Sequence, residues 1–191
     1  VENGIDVIRI FDALNDTNNL KVAMEAAVNA GAIASGCISY TTSPVHTHAK
    51  YVEIVKELKE MGASTICIKD MAGIMGPQEA YDMVSAIKDA VPGMPIDLHT
   101  HSTTGLAFMT YLKAVEAGVD IIDTAISPMS GGTSQPATET LAYALRQLGY
   151  EVDLDDACTK KMADYFKGVR DGFVADGTLM PKSVATDTQC L

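Results

Sequence analysis

Two histidines stand two positions apart in Ile96-Asp97-Leu98-His99-Thr100-His101. The run reads as a strand, and on a strand residues i and i+2 point to the same face. His99 and His101 would then set two imidazoles side by side at the strand's end. Neutral imidazole binds divalent ions well, so such a pair is half of a metal site. Two hydrogen-bonded histidines would show the same spacing, and spacing alone leaves both readings open. Val45-His46-Thr47-His48 has that spacing too. It follows Pro44 and leads into a helix-period segment. Two residues on a helix diverge by about 200°. That pair cannot share one ion, although His46 could reach a site from its loop.

A lysine ends another apolar run, Ile66-Cys67-Ile68-Lys69-Asp70-Met71-Ala72-Gly73. Burying it as a cation is costly, which favours the neutral amine. A neutral amine there could act as a base, form a Schiff base, or add CO₂ to give a carbamate whose oxygen ligates a metal. The plain alternative is an ion pair with Asp70 or another carboxylate. A third stretch, Ser127-Pro128-Met129-Ser130-Gly131-Gly132-Thr133-Ser134-Gln135-Pro136, leads into a helix. It is either an anion-receiving loop or an ordinary connection.

These residues need elements to hold them. Apolar runs at Val7–Phe11, Ala34–Tyr40, Thr65–Lys69, Ile96–His101 and Ile121–Ala125 start about 28 residues apart, the size of a βα unit. Between them lie helical periodicities. One is marked by Tyr51, Val52, Ile54, Val55, Leu58 and Met61, another by Ala80, Met83, Val84 and Ile87 after Pro77. Ala30-Gly31, Met61-Gly62 and Ala117-Gly118 read as helix ends. Buried strands separated by helices imply an α/β fold with a parallel sheet. A doubly wound sheet and a (β/α)₈ barrel both fit, though no GxGxxG follows any run. Either layout puts the site at the C-terminal strand ends. Asp12 and Tyr40 stand at such ends and are candidate substrate contacts. After Gly149 the rhythm stops. Residues 1–150 read as one barrel-type domain, and 151–191 as the start of a helical extension. In it a helix runs from Asp155 to about Arg170, packed through Ala157, Met162, Phe166 and Val169.

Composition narrows the classes. The 191 residues are 47% hydrophobic and 20% charged, an ordinary globular balance. With 14 basic and 25 acidic residues the net charge is −11, which repels nucleic acid and anionic lipid. No apolar run reaches the length of a membrane span. Cys37, Cys67, Cys158 and Cys190 lack CxxC spacing, and the first two sit in strand-like runs as core thiols. A reducing, cytoplasmic compartment is expected.

At Lys69-Asp70-Met71-Ala72-Gly73, His99-Thr100-His101 and Met129-Ser130 the chain resembles the carboxyltransferase component of biotin-dependent carboxylases and decarboxylases. Ile8-Arg9-Ile10-Phe11-Asp12-Ala13-Leu14-Asn15 and Ile38-Ser39-Tyr40-Thr41 match as well. The resemblance implies a (β/α)₈ TIM barrel, of which these runs are the fourth to eighth strands. It implies a divalent metal (Zn²⁺, Co²⁺ or Mn²⁺) held by Lys69 as a carbamate, by His99 and by His101. The family's fourth ligand, an Asp, lies on a first strand that is not among these five. Its substrate-binding Arg and Gln lie on early strands that are likewise missing. The proton-passing Ser or Thr after a Pro-Gly-Gly segment is absent too, and Thr133 is not its equivalent. Both ends of the catalytic unit thus read as cut.

The implied reaction is carboxyl transfer between carboxybiotin and pyruvate or oxaloacetate through an enolate, with Lys69 in a catalytic role. Biotin would arrive on a separate carboxyl carrier domain, since no Ala-Met-Lys-Met motif occurs here. The 2-oxo acid is the second partner. The resemblance also implies a homo-oligomer when full length and, in sodium-pumping members, membrane decarboxylase subunits. Two alternatives stand beside it. One is an acyl-CoA lyase or condensing enzyme like 3-hydroxy-3-methylglutaryl-CoA lyase, whose corresponding strand ends in a Gly-Asp-Thr type sequence. The other is a non-catalytic piece of a barrel.

Overall fold

The computed structural model describes residues 1–181 and 188; Cys190 lies outside the described residues. Five strands alternate with helices: β1 (Val7–Ile10), α1 (Thr17–Asn29), β2 (Ile33–Ser39), α2 (His48–Glu60), β3 (Thr65–Asp70), α3 (Pro77–Ala90), β4 (Ile96–Thr100), α4 (Ala107–Glu116) and β5 (Ile121–Ile122). A 3₁₀ turn (Ser127–Met129), α5 (Thr138–Gln147) and α6 (Asp156–Ala175) follow. All pairings are parallel and the sheet order is β1-β2-β3-β4-β5.

That unbroken order decides between the two layouts. A doubly wound sheet reverses direction at a switch point, and this one never does. Right-handed crossovers then place every helix on one side of the sheet. Neighbouring helices α1–α2, α2–α3 and α3–α4 do touch. The fold is α/β, an open arc of a (β/α)₈ barrel.

Strand alternation sorts the residues. Ile10, Ala34, Ile38, Tyr40, Ile66, Ile68, Ile96 and Leu98 face the helices and form the core with Met24, Tyr51, Leu58, Met83 and Ile87. The opposite, inner face carries Arg9, Ser35, Cys37, Ser39, Cys67, Lys69, Asp97 and His99. Arg9 on β1 forms ion pairs with Asp97 on β4 and with Asp123 just after β5. In a flat sheet β1 and β4 would lie about 14 Å apart, three spacings of ~4.8 Å. An arginine does not span that gap, so these pairs require the arc to curl around its inner face.

Two elements differ from their sequence patterns. The run at 121–125 pairs with β4 only at Ile121 and Ile122. Ala125 instead bridges Ala137, its N–H donating to Pro136 O while its carbonyl accepts from Thr138 N. The last helix runs on to Ala175, through Gly168 and Gly172. Each glycine costs a helix only about 1 kcal/mol and does not by itself end it. Its less exposed residues are Thr159, Ala163, Phe166, Val169, Arg170 and Val174, and the helix touches the 3₁₀ turn. Ala157 and Met162 are exposed, so they are not the packing residues their periodicity suggests.

Candidate functional site

The register builds the site. Ser39, Lys69 and His99 are partners across β2, β3 and β4. Adjacent strands are ~4.8 Å apart, so Lys69 and His99 stand side by side on the inner face. His101, two residues on, joins them at the mouth of the arc. The rings of His99 and His101 lie 5.1 Å apart between centroids, with their Nε2 atoms 3.1 Å apart.

What lies behind each ring fixes its proton. His99 Nδ1 meets Asp123 Oδ2 at 2.7 Å, and His101 Nδ1 meets the Thr133 carbonyl at 2.6 Å. A carboxylate and a carbonyl only accept, so both rings carry their proton on Nδ1. Neutral rings held this way turn two Nε2 lone pairs toward each other. A shared cation or proton relieves that repulsion. Gln135 Nε2 donates to the His99 Nε2 lone pair at 3.2 Å.

The donor set fits a divalent ion. Two nitrogens each about 2.05 Å from one ion and 3.1 Å apart subtend about 98° at it. That lies between octahedral and tetrahedral angles. Among the described residues, no group of three or more His, Cys, Asp and Glu is arranged to hold an ion.

Carboxylates and Arg9 complete the inner face. The Asp123 carboxyl is raised by burial, but hydrogen bonds from His99 and Arg9 outweigh this and hold it down at about 2. Asp97 goes the other way. Burial, then the Asp123 charge, push its carboxyl up to about 6 against the pull of Arg9. Tyr111 of α4 accepts from Thr100 N at 3.1 Å and donates to the Asp123 carbonyl, tying the ends of β4 and β5 together.

Lys69 and Asp70 do not pair. Adjacent strand residues face opposite ways, and Asp70 is fully buried on the helix side. It accepts from Thr100 Oγ1 at 2.7 Å and from the N–H groups of Ile74 and Met75. Lys69 Nζ instead lies 3.5 Å from the centroid of the Phe11 ring, a cation–π contact. The turn after Asp70 runs close to β4. Gly73 has φ +69°, and a Cβ there would collide with the His101 carbonyl oxygen.

The structure does not bring the other two candidates to the histidines. Tyr40 points into the helix-side core, its ring 6.1 Å from that of Tyr51. Burial, then the charges of Glu79 and Asp70, push its hydroxyl up. Asp12 closes its own loop, accepting from the N–H groups of Asp16 and Leu14 and from Asn19 Nδ2. Those hydrogen bonds hold its carboxyl below the usual range. The second histidine pair is split: His46 meets Ser43 Oγ and His48 meets Glu79. At the loop from Ser127, Thr138 N donates to the Ala125 carbonyl and Ser127 N to the Glu139 carboxylate. The loop also braces the histidines through Thr133 and Gln135. Cys37 and Cys67 are buried register partners on the inner face. The Cys37 thiol, with burial, pushes the Cys67 thiol up, as expected of unreactive core thiols.

The sequential parallel arc and the polar cluster at its C-terminal mouth define the class, part of a (β/α)₈-barrel domain with its candidate site at the usual end. The chain belongs to the HMGL-like family, whose model matches residues 18–165. It is 51% identical over 172 residues to a pyruvate carboxylase subunit of Methanocaldococcus jannaschii, covering 90% of this chain and 30% of that protein. It is 49% identical over 170 residues to the methylmalonyl-CoA carboxyltransferase 5S subunit of Propionibacterium freudenreichii subsp. shermanii, covering 88% and 34%. The carboxyl transferase domain of Rhizobium etli pyruvate carboxylase, solved with pyruvate, superposes with a TM-score of 0.90 at 34% identity, over 98% of this chain and 32% of that one. The chain thus spans about a third of the length of the curated relatives it matches. That family match fits the lyase alternative only weakly, and the two relatives are named as a pyruvate carboxylase subunit and a carboxyltransferase subunit. Among the described residues, no helix is long and apolar enough to cross a membrane.

Proposed function

We propose that the full-length protein of which these residues form part, hereafter the full chain, catalyses metal-assisted carboxyl transfer between carboxybiotin and a 2-oxo acid, pyruvate or oxaloacetate. The observation that carries this reading is the pair of Nδ1-protonated imidazoles whose Nε2 atoms converge at 3.1 Å beside Lys69. His99, His101 and a carbamylated Lys69 would hold the ion. A divalent ion there supplies Lewis acidity toward the 2-oxo group, easing the charge of an enolate.

The chain's own residues do the remainder. His99 and His101 stay neutral and offer one lone pair each. Lys69, once it has added CO₂ and released a proton, offers an anionic oxygen from the neighbouring strand. Asp123 and the Thr133 carbonyl keep the ring protons on the far side. Biotin arrives on a separate carrier domain, in keeping with the carboxylase relatives.

Lys69→Ala in the full chain is expected to abolish tight metal binding. It should lower oxaloacetate decarboxylation at least about 100-fold, the scale of losing one charge-stabilising group. Elemental analysis and a decarboxylation assay check it. Full metal occupancy with normal turnover would overturn the assignment.

A further inference from the structure

Arg9 stands in the middle of an apolar strand, where an unpaired cation is costly. Its guanidinium forks between two carboxylates, Asp97 on β4 and Asp123 beyond β5. Both are on the inner face, yet they differ in what they touch next. Asp123 uses the oxygen that takes the Arg9 hydrogen bond, Oδ2, to accept also from His99 Nδ1 at 2.7 Å. Asp97 touches no histidine in this way, and its Oδ1 is buried without a partner. The Asp123 main chain is fixed separately by the Tyr111 hydroxyl. Arg9, Asp123 and His99 therefore form a directed line from the first strand to the converging Nε2 atoms. Asp97 is a side branch of that line.

We propose that Arg9 and Asp123 are positioning residues: Arg9 pins the Asp123 carboxylate, and Asp123 holds the His99 proton on Nδ1, so that the Nε2 lone pair stays turned toward His101. The inference rests on the reading of His99 and His101 as ligands of one ion. Neither Arg9 nor Asp123 touches that ion. Each acts through one imidazole.

The test is metal affinity, measured by competition with a chromophoric chelator for Zn²⁺ and Co²⁺ in the full chain. Thermal unfolding is recorded in parallel. Asp123→Asn keeps the shape but brings an amide whose NH₂ can donate to Nδ1 and reverse the tautomer. It should weaken metal binding about 10- to 100-fold, the usual scale for an outer-sphere partner. It should also change the Co²⁺ absorption bands. Arg9→Gln should weaken binding in the same direction. The Arg9→Gln/Asp123→Asn double variant should be no weaker than Asp123→Asn alone, because both act through the same ring. Asp97→Asn, which removes the side branch only, should change affinity less than about threefold and leave the Co²⁺ bands unaltered, well below that scale.

A purely structural charge cluster predicts another pattern, in which Asp97→Asn and Asp123→Asn are equally damaging. That pattern, or a folded Asp123→Asn with unaltered affinity, overturns the inference. Because Arg9→Gln leaves the buried Asp97 and half-buried Asp123 carboxylates without their shared cation, the Asp123→Asn and Asp97→Asn comparison decides the matter if Arg9→Gln does not fold. His99→Ala separates the two levels. Undiminished metal binding in it overturns the ligand reading, whereas loss of metal in His99→Ala with none in Asp123→Asn overturns only the positioning.

Discussion

At the scale of single residues, the site depends on which ring nitrogen is bare and on how closely two turns approach. Gly73 controls the second. Any side chain there meets the His101 carbonyl, and its φ of +69° is one that other residues rarely adopt. Gly73→Ala is therefore expected to cost about 1–3 kcal/mol and to weaken metal binding as the β3 and β4 ends separate. Thermal unfolding and chelator competition check both effects. That Lys69, His99 and His101 gather at one end of the inner face was legible, because two positions on a strand share a face. Asp97 obeyed the same rule, two residues before His99, and the alternation could have singled it out. Arg9, a charge inside an apolar run, could have been singled out likewise. Thr133 could not be read, because it offers only a main-chain carbonyl. Tyr40 shows where strand-end polarity misleads. Its neighbour Ser39 shares the register of Lys69, so parity turns Tyr40 into the core.

At the scale of elements, the loop after β1 illustrates how a strand end is secured. Asn15 adopts φ +58° and pairs with Ser39 like a short strand. Its Nδ2 donates to the Ser39 carbonyl at 2.9 Å, and its Oδ1 accepts from Ser39 N at 2.7 Å. The Ser39 hydroxyl donates to the Asp12 carbonyl at 2.9 Å. This staple sets Phe11 over Lys69. Asn15→Ala is expected to cost about 1–3 kcal/mol, from two lost hydrogen bonds and a strained backbone. Differential scanning calorimetry would register it as a lowered Tm. The helices were legible because their apolar faces repeat every 3.6 residues. Tyr51, Ile54, Val55 and Leu58 in α2 and Ala80, Met83, Val84 and Ile87 in α3 are all buried. The fifth strand was overread. An apolar run does not reveal that its second half will leave the sheet and pair beyond the next loop, as Ala125 does with Ala137.

At the scale of the molecule, β1 and β5 each pair on one side only among the described residues. Val7 and Ile121 on these strands are 51% and 45% exposed. Five parallel strands cannot close a barrel that needs eight. Unpaired edges of this kind recruit further strands. The 191-residue chain expressed alone is thus expected to self-associate and to show little carboxyl transfer, checked by light scattering and the decarboxylation assay. The ion pairs of Arg9 have a kinetic consequence. They join residues 88 and 114 positions apart, whereas His99 and His101 are two positions apart at the end of β4 and just beyond it. Contacts that close such long loops form late in folding. The imidazoles can meet as soon as β4 exists, but their brace arrives only when the arc has curled. Interactions made after the folding barrier govern how fast a protein comes apart rather than how fast it assembles. Asp123→Asn in the full chain should accordingly speed unfolding in concentrated denaturant and leave refolding nearly unchanged, so the grip on the ion and the lifetime of the folded barrel would be set by the same side chains.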